Sequence, residues 1–204
     1  MVYASRTRGN TGLTYAIAEE APIGIVIATY SGRLSRIFSW DTLTDTFTAG
    51  QFLKARANLM TISPDGKYFA YRAENLHKPR QAFSAISKTP FFTALAFYPH
   101  SPTTSAVIEF QSGNLLVESE TYSHINHIIP ERMTPGCPYK IIKTGFQAQS
   151  SNVSSIDPHH PRRISSNGFT LIAEDTATNE ITHLGNFPRE PFEAIEPPEW
   201  AKVW

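Results

Sequence analysis

The chain has one cysteine in 204 residues, so no intrachain disulfide can form and a secreted domain held together by bridges is excluded. That residue, Cys137, sits in Thr134-Pro135-Gly136-Cys137-Pro138, where two prolines and a glycine favour a turn over a prepared nucleophile. Net charge is also missing: 18 Lys plus Arg balance 18 Asp plus Glu. This speaks against nucleic acid and against an anionic membrane surface as partners. Long apolar runs are absent as well. The longest, from Ala21 to Tyr30, is broken by Pro22 and Gly24 and falls short of the roughly 20 residues a spanning helix needs. The first residues, Met1 to Arg8, carry positive charge with no apolar segment behind it, so no secretory leader is expected and residence in the cytosol or nucleus is. Without a secretory route, the sequon at Asn152-Val153-Ser154 is an accidental match.

Motifs of chemistry are scarce too. No G-x-S-x-G pentapeptide occurs, which removes the nucleophile elbow of serine hydrolases, and there is no glycine-rich phosphate loop of either common type. His124 and His127 are three apart, which on a strand places them on opposite faces. His159 and His160 follow Asp157, but a metal site needs three or four converging ligands. The expectation is therefore no metal, no cofactor and no catalytic constellation.

What is present points to strands. Apolar residues make up 41% of the chain, with 13 Phe and 8 Tyr, whereas charged residues make up 18% and prolines number 15. That content is too hydrophobic for a disordered chain, and its β-branched and aromatic residues suit a pleated surface while its prolines interrupt helices. The sequence reads as all-β, built of antiparallel hairpin units. Gly24 to Tyr30, the turn Ser31-Gly32 and Arg33 to Asp41 form one hairpin, followed by an outer strand over Thr42 to Thr48 and a connection at Ala49-Gly50-Gln51. Ala57 to Ile62 and Lys67 to Arg72 flank Ser63-Pro64-Asp65-Gly66, a turn in which proline sets φ, aspartate bonds its own backbone and glycine accepts positive φ. A charged loop from Glu74 to Arg80 leads to a strand at Ala82 to Lys88. Thr93 to Phe97 and Ser105 to Phe110 make a further unit across the loop Tyr98 to Pro102, after which Ser112-Gly113 turns the chain into a strand from Asn114 to Thr121.

These units repeat. Ile62-Ser63-Pro64-Asp65-Gly66 returns as Ile164-Ser165-Ser166-Asn167-Gly168, about three times a spacing of roughly 34 residues later, and Phe97 falls near one such spacing. The copy expected near Ile128 to Ile142 is degenerate because its prolines remove ladder donors. The final unit is Phe169 to Ala173, a turn over Glu174 to Asn179, and Glu180 to Phe187. This gives an extension over residues 1–23, a β domain over 24–187 and a proline-rich tail over 188–204, whose Trp200 and Trp204 are expected to dock on the body.

Trp40-Asp41 closing a strand, followed by Ile62-Ser63-Pro64-Asp65-Gly66-Lys67-Tyr68 and by Thr93 to Pro99 with Ala106 to Gly113, resembles WD40 repeats over about residues 24–121 and more weakly 164–187. The resemblance implies four-stranded blades around an axis, a β-propeller acting as a rigid scaffold for partner proteins. At roughly 40 to 45 residues per blade, the length supplies four to five blades, hence a small or incomplete ring completed by a partner or by a second copy of the chain. On this reading the chain is a non-enzymatic interaction module presenting loop tips, with Trp40, His100, Arg162 and Arg163 as its interaction residues. The alternatives are a ligand-binding or hydrolytic propeller with a channel site, and a fragment of a larger repeat protein.

Overall fold

The computed structural model describes residues 2–4, 11–30, 33–75, 81–100, 106–111, 114–120, 132–144 and 157–204. The chain is all-β, and its described residues form four sheets. Sheet I is β1 (Val2–Ala4), β2 (Gly12–Ile17), β3 (Ile23–Tyr30), β4 (Leu34–Asp41) and β5 (Thr46–Leu53), paired antiparallel in chain order. Sheet II has β6 (Arg56–Ile62), β7 (Tyr68–Asn75), β8 (Gln81–Lys88) and β9 (Ala94–His100), with β12 (Arg132–Met133) added to the far side of β9. Sheet III is β10 (Ala106–Gln111) and β11 (Leu115–Glu120), with β13 (Lys140–Thr144) parallel to β11. Sheet IV is β14 (Arg162–Asn167), β15 (Thr170–Asp175) and β16 (Ile181–Asn186). No helix among the described residues is long and apolar enough to cross a membrane.

Three cores join these sheets in the order IV, I, II, III. Val26, Ala28, Phe38 and Trp40 of sheet I pack on Ile164, Leu171 and Ala173 of sheet IV. Ile25, Ile27 and Ile37, on the opposite face of sheet I, pack on Leu59, Phe69 and Tyr71 of sheet II. Tyr68, Ile86 and Leu95 of sheet II then meet Ile108, Phe110 and Leu116 of sheet III. Sheet I is thus covered on both faces, which explains why β3 reads as a nearly unbroken apolar run: side chains alternate between faces, and here both faces are interior. No core cluster joins sheet III to sheet IV among the described residues.

The turns follow their residue chemistry. In Ser63-Pro64-Asp65-Gly66 the Ser63 hydroxyl donates to Asp65 at 2.7 Å and accepts from the Tyr68 N–H at 2.9 Å, while Gly66 takes φ of 74°. Gly66 is also needed sterically, since a Cβ there would stand 2.8 Å from the Ile23 side chain. The β4–β5 and β15–β16 turns share one device. Asp41 Oδ1 accepts the N–H groups of Leu43 and Thr44, and Asp175 Oδ1 accepts those of Ala177 and Thr178. Each turn closes on a residue of positive φ, Asp45 at 53° and Asn179 at 59°.

β6 is an edge strand whose free backbone groups are met by sheet I. Ser35 Oγ donates to Ala55 O at 2.9 Å and accepts from Ala57 N at 2.9 Å. Thr29 Oγ1 donates to Ala57 O at 2.6 Å, and Leu59 N donates to Thr14 Oγ1 at 3.1 Å. Hydroxyls from β4, β3 and β2 in turn therefore cover an edge that would otherwise be open to another strand.

Several expectations are corrected. Residues 12–22, read as part of an extension, supply β2 and buried core residues such as Tyr15 and Ile17. The outer strand is Thr46–Leu53, because the Asp41 carboxylate organises residues 42–45 as a turn. Thr93–Phe97 and Ser105–Phe110 do not form one hairpin: β9 belongs to sheet II and β10 to sheet III. The turn Ser112-Gly113, the pair His124 and His127, and the sequon lie outside the described residues.

Buried phenols give the fold a defined alkaline limit. Burial pushes Tyr30 up to about 12, against a smaller opposing pull from the Arg36 guanidinium. Burial also raises Tyr68, Tyr71 and Tyr139. Groups whose folded pKa is raised contribute stability that is intact below the unfolded value of 10.0 and is lost as pH climbs through the folded value. Urea midpoints are therefore expected to hold steady up to about pH 10 and then fall steeply towards pH 12, with tyrosinate absorbance appearing together with loss of the β spectrum. Tyrosinate absorbance developing fully near pH 10 with the sheet signal intact would contradict this.

Candidate functional site: a cleft at the seam of sheets I and II

Where the outer end of β4–β5 meets the turns of sheet II, a cleft of about 590 Å³ opens, within the usual range of roughly 300–1,000 Å³ for ligand sites. One wall is the face of sheet I bearing Ser39, Asp41, Thr46 and Thr48, which lie together because Ser39 pairs with Thr48 and Asp41 with Thr46. The opposite wall is the β6–β7 turn at Gly66 and Lys67 and the β8–β9 turn at Lys88, Thr89 and Pro90. Pro22 and Ile23 close one end, and Trp200 of the C-terminal segment, 52% exposed, overhangs the cleft.

β5 is the edge strand of sheet I, and its outer edge is only partly covered. At Gln51 the β8–β9 turn docks against it: Gln51 N donates to Pro90 O at 3.2 Å and Phe92 N donates to Gln51 Oε1 at 2.8 Å. Gly50 permits this approach, since a Cβ there would stand 2.2 Å from Pro90 O. Towards the cleft, Thr46, Thr48 and Ala49 are exposed, and among the described residues Thr46–Ala49 make no backbone hydrogen bond beyond β4.

Two ammonium groups and one carboxylate line the cleft. Lys67, its side chain 70% exposed, stands 3.1 Å from Asp65, and its pKa is raised by that carboxylate. Lys88 Nζ donates to Trp200 O at 3.0 Å. Asp41 directs an oxygen to the turn amides. Asp65 feels burial pushing its carboxyl up, but the Ser63 hydroxyl, the Lys67 N–H and the Lys67 ammonium outweigh this and hold it below the ordinary carboxylate value. This arrangement has the means to hold an extended or anionic group by hydroxyls, ammoniums and a free strand edge.

The residues singled out in the sequence are scattered. Trp40 is 1% exposed. It borders the cleft through its place in β4, but its indole stacks on Phe47 and donates to Asp45 Oδ1 on the side facing sheet IV. Trp40 is therefore a core residue and not a loop tip, and Gly24 opposite it leaves room for the ring. Arg162 is interior too, bridging Asp157 of its own sheet's approach and Asp45 of sheet I. Its guanidinium lies 5.7 Å from the Trp40 ring centre. Arg163 is exposed and pairs across the strand with Glu174 at 3.5 Å. His100, at the far end of β9, meets Ser84 at 3.1 Å. His159 donates its ring N–H to Ala18 O at 2.8 Å, so the Asp157-Pro158-His159 stretch joins sheet IV to sheet I.

Lys67, Lys88, Thr46 and Thr48 were not among the residues picked from the sequence, and Trp200 was expected to dock on the body, not to line a cleft. The alternation Thr44, Thr46, Thr48 is the one local signal they carry, since three hydroxyls at period two mark a polar strand face. Compared with protein-family models, curated proteins and solved structures, the chain matches none of them.

Proposed function

We propose that the chain is a non-enzymatic protein-interaction module, a small propeller-like assembly whose four sheets act as blades. The observation that carries this reading is the return of sheet IV onto sheet I. Four sheets lie along the chain, with β12 alone returning to sheet II, and the last packs on the first, one of the contacts a radial arrangement needs. The WD40-like turns support it: the Pro-Asp-Gly turn between β6 and β7 has its counterpart between β14 and β15, where Gly168 takes φ of 60°. A rigid body of this kind presents seams and edges to partners, and the seam between sheets I and II offers both a cleft and an exposed strand edge.

The test is site-specific photo-crosslinking in cells that make the protein. A benzophenone side chain placed at Thr48, in the cleft, is expected to capture one partner protein, and the same probe at Thr182 on β16 is not. The captured protein, once purified, should bind the wild-type chain and lose binding to Lys88→Glu. Identical crosslinking at both positions, or binding indifferent to Lys88, would remove the cleft as the interaction surface. Crosslinks from Thr48 only to a second copy of the chain would replace the partner with self-association.

A further inference from the structure

Resting on that reading, we infer that the cleft takes an extended peptide of alternating acidic and apolar residues, added as a strand along the outer edge of β5. The edge supplies the geometry. Thr46, Thr48 and Ala49 are exposed, Thr46–Ala49 make no backbone hydrogen bond beyond β4 among the described residues, and the same edge already accepts an outside segment at Gln51, where Pro90 O receives its N–H. A peptide entering the cleft continues that pairing by main-chain hydrogen bonds, with side-chain pockets supplying selectivity.

The walls supply the chemistry. A strand places successive side chains on opposite faces, so a peptide on this edge turns one set towards the sheet II turns and the other away. The turns bring Lys67 and Lys88, whose ammonium groups suit carboxylates; Lys67 already faces Asp65 at 3.1 Å, so a peptide carboxylate shares that ammonium with it. Asp41, the one acidic residue lining the cleft, already directs an oxygen to the N–H groups of Leu43 and Thr44. Ile23, Pro90 and the exposed indole of Trp200 form the apolar part. Lys88 now donates to Trp200 O, so a peptide carboxylate competes with the main chain of Trp200 for that ammonium, and the neighbouring indole reports occupancy.

The experiment uses the full chain and two blocked hexapeptides, Glu-Val-Glu-Phe-Glu-Val and its counterpart with lysine in place of each glutamate. Binding is followed by amide chemical shifts and by the Trp200 indole resonance. The acidic peptide is expected to shift the amides of Thr46 to Ala49 and the Trp200 indole, and to bind at least about tenfold more tightly than the basic one, with the preference weakened at about 0.5 M salt. Lys67→Glu combined with Lys88→Glu, both outside the core, is expected to reverse the preference. Ala49→Pro removes an outward-pointing edge donor and should weaken both peptides. Equal binding of the two peptides, shifts confined to other sheets, or no binding by the wild-type chain would overturn the inference. If a partner is still captured from Thr48 while both peptides fail, the ligand class is wrong and the interaction module stands. If the crosslink fails as well, both readings fall.

Discussion

Replacing Arg162 with alanine is expected to lower the folding free energy by about 3–5 kcal/mol, the cost of breaking a buried ion pair from one side. The guanidinium donates to Asp157 Oδ2 at 2.8 Å, to both oxygens of Asp45 at 2.6 and 2.9 Å, and to Thr42 O at 3.0 Å. The side chain of Asp157 is fully shielded from solvent and that of Asp45 is 30% exposed. Alanine therefore strands one carboxylate in the interior, where an uncompensated charge is severely destabilising, and cuts the link between sheets IV and I. Arg163 provides the control. It is adjacent in sequence, faces solvent and holds a single cross-strand partner, so Arg163→Ala should change stability by no more than about 0.5 kcal/mol. Urea unfolding of both variants decides the matter. Asp157→Asn added to Arg162→Ala should recover part of the loss, because the stranded charge goes. A loss below about 1 kcal/mol for Arg162→Ala would mean that Asp157 finds water and that the clamp between the sheets is unimportant.

The strands were legible where their chemistry is local. The β6–β7 turn could be read because proline, aspartate and glycine each have one physical task within four residues, and β3 because a strand buried on both faces has no polar side to hide it. A second repeat is local as well: Asp41-Thr42-Leu43-Thr44-Asp45 and Asp175-Thr176-Ala177-Thr178-Asn179 build the same turn in sheets I and IV. Trp40 misled because its place at a strand end beside Asp41 resembles a blade terminus, whereas burial depends on which neighbour lies over that face, and sheet IV is more than 120 residues further along the chain. The hydroxyls of Thr14, Thr29 and Ser35 read as ordinary polar positions; only the crossing of β6 gives them the work of covering an edge. The cleft had no local signature beyond the alternating threonines of β5. It is assembled from segments between Pro22 and Trp200, and its lysines acquire meaning only when two turns of sheet II stand opposite the threonines of β5.

Removing residues 189–204 is expected to lower the melting temperature by roughly 10 °C, because the segment after sheet IV is a strap across the other three sheets. Glu190 pairs with the buried Arg36 of β4. Phe192 lies 5.6 Å from Phe52, with the Lys54 ammonium 4.3 Å from its ring centre, and Ile195 O accepts from Gln51. Further on, Trp200 meets Phe91 edge-on at 5.3 Å and Ala201 is buried. Trp204 donates its indole N–H to Thr134 O at 2.6 Å and lies 5.5 Å from Tyr68, reaching the core shared by sheets II and III. Partial burial of three large aromatic side chains supports a loss of about 3–5 kcal/mol, and in a domain of this size each 1 kcal/mol moves the midpoint by about 2–4 °C. The contacts come in chain order, so shorter truncations separate them. Loss of Val203 and Trp204 alone should speed amide exchange in β13 and at Thr134 while leaving β4 and β5 protected, and the full truncation should expose all of them. Equal melting of truncated and full-length chains, to within about 2 °C, would show that sheets I to III hold one another without the strap. A midpoint loss confined to the exchange of β13 would restrict its role to sheet III. The same truncation removes Trp200 from the cleft, so a chain that loses stability but still binds the acidic hexapeptide would place the β5 edge, and not the indole, at the centre of recognition.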